Sequence, residues 1–188
     1  VLAIANFFVY IVRYAVLDWG PTLLGEWKGV SIHHAGWMVA AFEISGIVGM
    51  LVAGWATDRF FGGRGPRVCV ICMALATVFV ALFWGISQPP MWLATLLLGA
   101  AGFCIYGPHA LVGIAAANIA TKKAAATAVG FTGLFGYAST LVSGWGLGLL
   151  AQHYGWNIAV GALILIAIMG TLIFMAAWSA KANGYDND

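Results

Sequence analysis

The sequence predicts an all-α integral membrane protein, a bundle of six transmembrane helices. Two observations carry this, composition and spacing. Hydrophobic residues fill 63% of the 188 positions and charged residues only 7%, against roughly 25% charged in a soluble domain. The apolar residues gather in long runs between short polar stretches, and crossing the hydrocarbon core takes about 20 of them. Six such runs fill the chain and leave no length for a separate soluble domain.

Charge, proline and glycine place the spans near residues 1–24, 35–57, 67–86, 91–120, 125–150 and 156–179. The first opens Val-Leu-Ala-Ile-Ala-Asn, already apolar and without Met, so the natural protein is expected to extend upstream; no signal peptide is recognisable there. A polar link from Gly25 to His34 leads to the second span. The link from Asp58 to Pro66 carries Arg59 and Arg64, and Arg67 begins the third span. Ser87-Gln88-Pro89-Pro90 separates the third from the fourth, Lys122-Lys123 the fourth from the fifth, and Gln152-His153-Tyr154-Gly155 the fifth from the sixth.

Basic residues near helix ends mark the cytoplasmic side. Arg59, Arg64, Arg67, Lys122, Lys123 and Lys181 fall on one side and Lys28 alone on the other. Both ends of the chain are therefore expected to be cytoplasmic. Trp19, Trp27, Trp37, Trp92 and Trp156 lie near span ends, where an amphipathic ring suits the headgroup layer. Gly46, Gly49 and Gly54, and again Gly130, Gly133 and Gly136, are expected at helix contacts, because small residues let backbones approach in lipid.

Several function classes drop out. A net charge of +2 without a basic run gives nucleic acid no footprint. Cys69 and Cys72 form a C-x-x-C without the second pair or histidines of a zinc site. These cysteines read as small residues facing lipid or a neighbouring helix. No nucleotide motif and no nucleophile–base constellation is present, so neither a cofactor nor an enzyme is expected.

Apart from Arg67 at the very start of the third span, only three formal charges, Arg13, Asp18 and Glu43, fall inside the spans. Arg13 lies about halfway along the first, where a lone arginine costs at least ~2.5–3.5 kcal/mol on insertion scales. It must face a cavity or a partner. At about 100° per residue, Asn6, Tyr10, Arg13, Tyr14 and Leu17 share one stripe, so an amide and phenols flank the guanidinium. A guanidinium fork suits phosphate or carboxylate oxygens two at a time. Two readings stand: an anion site, or a structural ion pair with Asp18 or Glu43. Asp18, five residues on, does not stack over Arg13 and suits a helix-end role before Trp19-Gly20-Pro21. Glu43 is either a fixed counter-ion or a group that exchanges partners.

In the fourth span, Gly107-Pro108 is expected to interrupt the backbone ladder beside a cavity, with Tyr106 at its edge. His109 by itself reads first as a packing residue. In the fifth, Thr132, Gly136, Ser139, Thr140 and Ser143 form a small polar stripe that lines either a wet path or a helix contact, with Tyr137 among them.

Gly54-Trp55-Ala56-Thr57-Asp58-Arg59 followed by Gly62-Gly63-Arg64-Gly65 resembles the cytoplasmic signature of the major facilitator superfamily. The stretch from Asn6 to Tyr14, Leu17-Asp18-Trp19, Ile105-Tyr106-Gly107-Pro108, Lys122-Lys123-Ala124-Ala125 and Gly130 to Tyr137 resemble the C-terminal half of the organophosphate:phosphate antiporters. The likeness runs through nearly the whole chain. It implies one six-helix half, residues 1–188, of a twelve-helix secondary transporter in the bacterial inner membrane, exchanging organic phosphate for inorganic phosphate by rocking of two halves. Its partners would be those two phosphates, membrane lipid and the N-terminal half.

The resemblance assigns Arg13 to the phosphoryl group, Tyr10, Tyr106 and Tyr137 to the pocket around it, and Asp18 and Glu43 to charge rearrangement. Asn6 and Tyr14 join the substrate site from the stripe of Arg13. Hexose-phosphate carriers have an acid and a lysine where this chain has Val129 and Thr132, and glycerol-phosphate carriers a histidine where it has Ala115. Three-carbon phosphates such as glycerol 3-phosphate or phosphoglycerate are favoured. Another family member is a membrane sensor of hexose phosphate that signals to a histidine kinase, which is the alternative expectation.

Overall fold

The computed structural model describes residues 1–181, so the last seven positions of the expected 1–188 unit lie outside the described residues. Every regular element within them is helical: α1 (Leu2–Lys28), α2 (Ile32–Phe61), α3 (Gly65–Gly85), α4 (Met91–Ile119), α5 (Ala125–Ala138), α6 (Leu147–Tyr154) and α7 (Trp156–Ala176). A π-helical turn, Val142–Gly146, joins α5 to α6. These last two and the turn form one span, Ala125–Tyr154, and six spans are long and apolar enough to cross a membrane.

Local chemistry sets the ends of these helices. The first span runs on to Lys28 because its last turn has partners: Lys28 Nζ donates to the Ile86 carbonyl at 2.5 Å and sits 3.9 Å over the Trp27 ring. Gly29, at φ 67°, then closes the helix in the left-handed region that costs glycine nothing. Gly62 and Gly63, at φ 56° and 76°, reverse the chain between α2 and α3. At that same end Arg67 donates to the Trp178 carbonyl at 3.2 Å, tying the start of α3 to the residues beyond α7.

The main core gathers α1 to α4 and α7 around Val9, Phe42, Met73, Ile105 and Phe174. Close contact between α2 and α4 depends on missing side chains. A Cβ at Gly49 would meet the Phe103 carbonyl, one at Gly102 the Phe42 carbonyl, and one at Gly46 the Tyr106 ring. Gly136 takes the same role against Asn6 and Tyr10. Gly54, Gly130 and Gly133, expected at contacts, have nothing within 4 Å of an added Cβ, because they lie on faces that no described helix covers. α4 stays helical through Pro108, without the break expected there, and Gly107 lets Ala53 and Cys72 close on it.

The π turn is held from outside. Trp19 Nε1 donates to the carbonyls of Ser143 and Gly144, both at 3.0 Å. Its ring lies where a Cβ on Gly148 would stand. Carbonyls displaced by the wider turn thus regain a donor inside an apolar bundle, where an unpaired one is costly.

Candidate functional site

The central stripe of α1 meets α2, α4 and α5. Arg13 Nη2 donates to the Tyr106 hydroxyl at 2.8 Å, and Nη1 lies 2.6 Å from His109 Nε2. The Tyr106 hydroxyl in turn donates to Glu43 Oε2. Arg13 and Glu43 themselves stand 3.6 Å apart, a loose ion pair with Tyr106 as its bridge. The guanidinium also lies 4.4 Å over the Tyr106 ring and 5.5 Å from that of Tyr14.

Aromatic rings enclose this group. Tyr10 packs on His109 with centroids 4.6 Å apart, on Tyr14 at 5.5 Å and edge-on to Tyr137 at 5.6 Å. One turn earlier, buried Asn6 donates to the Thr132 carbonyl at 2.9 Å and so ties α1 to α5. The cluster is not sealed, since the side chains of Arg13 and Glu43 keep 16% and 32% of their exposure.

Hydrogen bonding within the cluster is incomplete. Arg13 Nε, Glu43 Oε1, His109 Nδ1 and Asn6 Oδ1 are buried without a partner. Buried polar groups are overwhelmingly paired, and each orphan costs about 1–3 kcal/mol. Here all four fall on the Arg13 stripe and the two residues bonded to it. The guanidinium thus keeps one unspent donor, at the buried Nε.

The sequence-derived residues divide. The structure brings Arg13, Tyr10, Tyr14, Tyr106, Tyr137, Asn6 and Glu43 together, with Tyr137 reaching in from a largely exposed position. Asp18 takes no part: it is exposed, with its carboxylate beside Gly144, and makes no ion pair among the described residues. His109, read first as packing, touches the guanidinium directly. A signal was available, because 109 lies three residues beyond 106 and so on the same helix face as Tyr106.

The polar stripe of the fifth span turns inward on its own backbone. Thr132, Ser139, Thr140 and Ser143 each donate to the carbonyl three residues earlier, at 2.8, 2.6, 2.7 and 3.2 Å. Their hydroxyl protons are therefore spent within the helix.

Six apolar spans closed around an arginine, a glutamate and a histidine define a multi-pass membrane protein with a polar centre inside the bilayer. The profile of the Major Facilitator Superfamily matches residues 2–184, and the chain belongs to that superfamily. It is 40% identical over 180 residues to a probable hexose phosphate transport protein of Chlamydia pneumoniae, covering 95% of this chain and 40% of the relative. A glycerol-3-phosphate transporter of Haemophilus influenzae is 36% identical over 201 residues, 96% of this chain and 42% of that protein. The membrane sensor protein UhpC of Salmonella typhimurium is 32% identical over 182 residues, 96% and 41% respectively. The chain spans about two fifths of the length of these relatives.

Proposed function

We propose that this chain is the C-terminal half of a bacterial inner-membrane carrier that exchanges a small organic phosphate for inorganic phosphate by alternating access, with both ends cytoplasmic. Arg13 grips the phosphoryl group, Tyr10, Tyr14, Tyr106, Tyr137 and Asn6 shape the pocket, and Glu43 serves charge rearrangement as the carboxylate that Arg13 exchanges for phosphate. One observation carries the reading: a guanidinium halfway along α1, held by two neutral partners and a carboxylate at 3.6 Å, with Nε unpaired. A structural ion pair would favour direct bidentate contact, whereas a loose pair bridged by a phenol can trade its carboxylate for a phosphate. Asp18, apart from this cluster, would act only after the halves move.

A three-carbon phosphate is favoured because Thr132, where hexose-phosphate carriers have lysine, spends its hydroxyl on the Val129 carbonyl at 2.8 Å. Thr132 itself thus brings no cation to meet a larger head. The test is exchange by the complete carrier in liposomes loaded with inorganic phosphate, which should admit glycerol 3-phosphate only as phosphate leaves. The 188-residue chain alone should not exchange, because the site lies between two halves. Likeness to UhpC supports a second reading, a sensor of hexose phosphate, which predicts binding with little flux.

A further inference from the structure

Arg13 Nη1 stands 2.6 Å from His109 Nε2. A guanidinium has donors and no acceptor, so Nε2 accepts. The imidazole is therefore neutral, with its proton on Nδ1, which is buried and unpartnered. The ring is pinned against Tyr10, with centroids 4.6 Å apart, and lies 5.9 Å from that of Tyr106. Its ionisable surroundings are Arg13 and Tyr10 of α1, Tyr106 of α4, Glu43 of α2 beyond Tyr106, and Tyr137 of α5 behind Tyr10.

Resting on the reading of Arg13 as the phosphate site, we propose that His109 is a specificity-determining residue that makes phosphate binding carry one proton. When a phosphoryl group takes the guanidinium, Nε2 loses its donor and keeps a buried lone pair beside an anion. That lone pair takes a proton shared with a phosphoryl oxygen, brought in as the P–OH of the monoanion or taken up with the dianion from the bulk solution, which keeps the matching hydroxide. No bond to phosphorus forms or breaks. By either route the complex holds one proton more than the neutral site plus the dianion, so the site discriminates by protonation state.

The test is the affinity of the complete carrier for inorganic phosphate from about pH 6 to about pH 9, in wild type, His109→Phe, His109→Gln and Glu43→Gln. Above the second ionisation of phosphate, one linked proton raises the wild-type Kd about tenfold per pH unit. Phenylalanine keeps a flat ring on Tyr10 without an acceptor, so His109→Phe should bind more weakly at low pH and with a flat profile. Glutamine offers a carbonyl to a P–OH and should restore part of both affinity and slope, while Glu43→Gln should retain the slope.

Wild-type slope and affinity in His109→Phe would overturn the proposal, as would a slope lost only in Glu43→Gln. If His109→Phe fails to accumulate in the membrane, the wild-type slope and His109→Gln decide the matter. A flat wild-type profile with firm phosphate binding would overturn the His109 role alone. No phosphate binding by wild type would overturn the Arg13 reading and this inference with it.

Discussion

Tyr106 stands between Arg13 and Glu43, accepting from the guanidinium at 2.8 Å and donating to the carboxylate, while the two charges stay 3.6 Å apart. The phenol is thus the only direct hydrogen-bonded link between them among the described residues. Tyr106→Phe keeps the ring under the guanidinium but leaves Glu43 without a donor. Loss of a hydrogen bond to a charged group should lower stability by about 1–3 kcal/mol. Thermal unfolding of the variant in detergent checks this, and an unchanged midpoint would show that the bridge is slack.

Helix contacts give a paired prediction. Gly49→Ala pushes a methyl group into the Phe103 carbonyl, which belongs to the backbone of α4 and cannot rotate away. Overpacking of this kind costs about 1–3 kcal/mol or more, so membrane yield of folded protein should fall. Gly130→Ala meets nothing within 4 Å among the described residues and should be tolerated by the isolated half. Equal yields for the two would contradict the observed α2–α4 packing.

Trp19 fastens the π turn through the Ser143 and Gly144 carbonyls. Trp19→Phe keeps an aromatic ring above Gly148 and removes the donor. Local opening of residues 142–148 should then become easier by about 1 kcal/mol, a roughly fivefold rise in amide exchange confined to that stretch. Unchanged exchange there would mean that the turn holds itself.

The excess of basic residues at one end of the bundle predicts sidedness. Cysteines placed at Lys122 and at His33 should react with an impermeant reagent from opposite faces, with Lys122 cytoplasmic. Labelling of both from one face would rule out the six-span arrangement.

The six spans were legible because composition and length decide them in lipid, where every backbone group must pair within its own helix. Arg13 was legible for the same reason, as a lone guanidinium in an apolar run announces its own cost. What joined it was less so. Glu43, Tyr106 and His109 reach Arg13 across 30, 93 and 96 residues of chain, and which face of α4 meets α1 depends on packing that an all-round apolar helix does not encode. Nor could the sequence tell which glycines bury: Gly49 and Gly54 look alike until α4 takes one side of α2. The hydroxyls of the fifth span left two readings open, because an alcohol bonded back to its own helix reads the same as one facing water; in the structure Thr132, Ser139 and Ser143 are buried.

Whether Arg13 binds the phosphoryl group, as proposed, is measured directly by the inorganic phosphate affinity of the complete carrier in Arg13→Lys and Arg13→Ala. Lysine keeps the charge and loses the planar fork, so Arg13→Lys should insert normally yet bind about 10–100-fold more weakly, as expected for lost charge-assisted bonds. Arg13→Ala should lose binding altogether, and adding Glu43→Ala should restore stability without restoring affinity. Wild-type phosphate affinity in well-inserted Arg13→Ala protein would contradict the assignment and leave Arg13 as a structural counter-ion of Glu43.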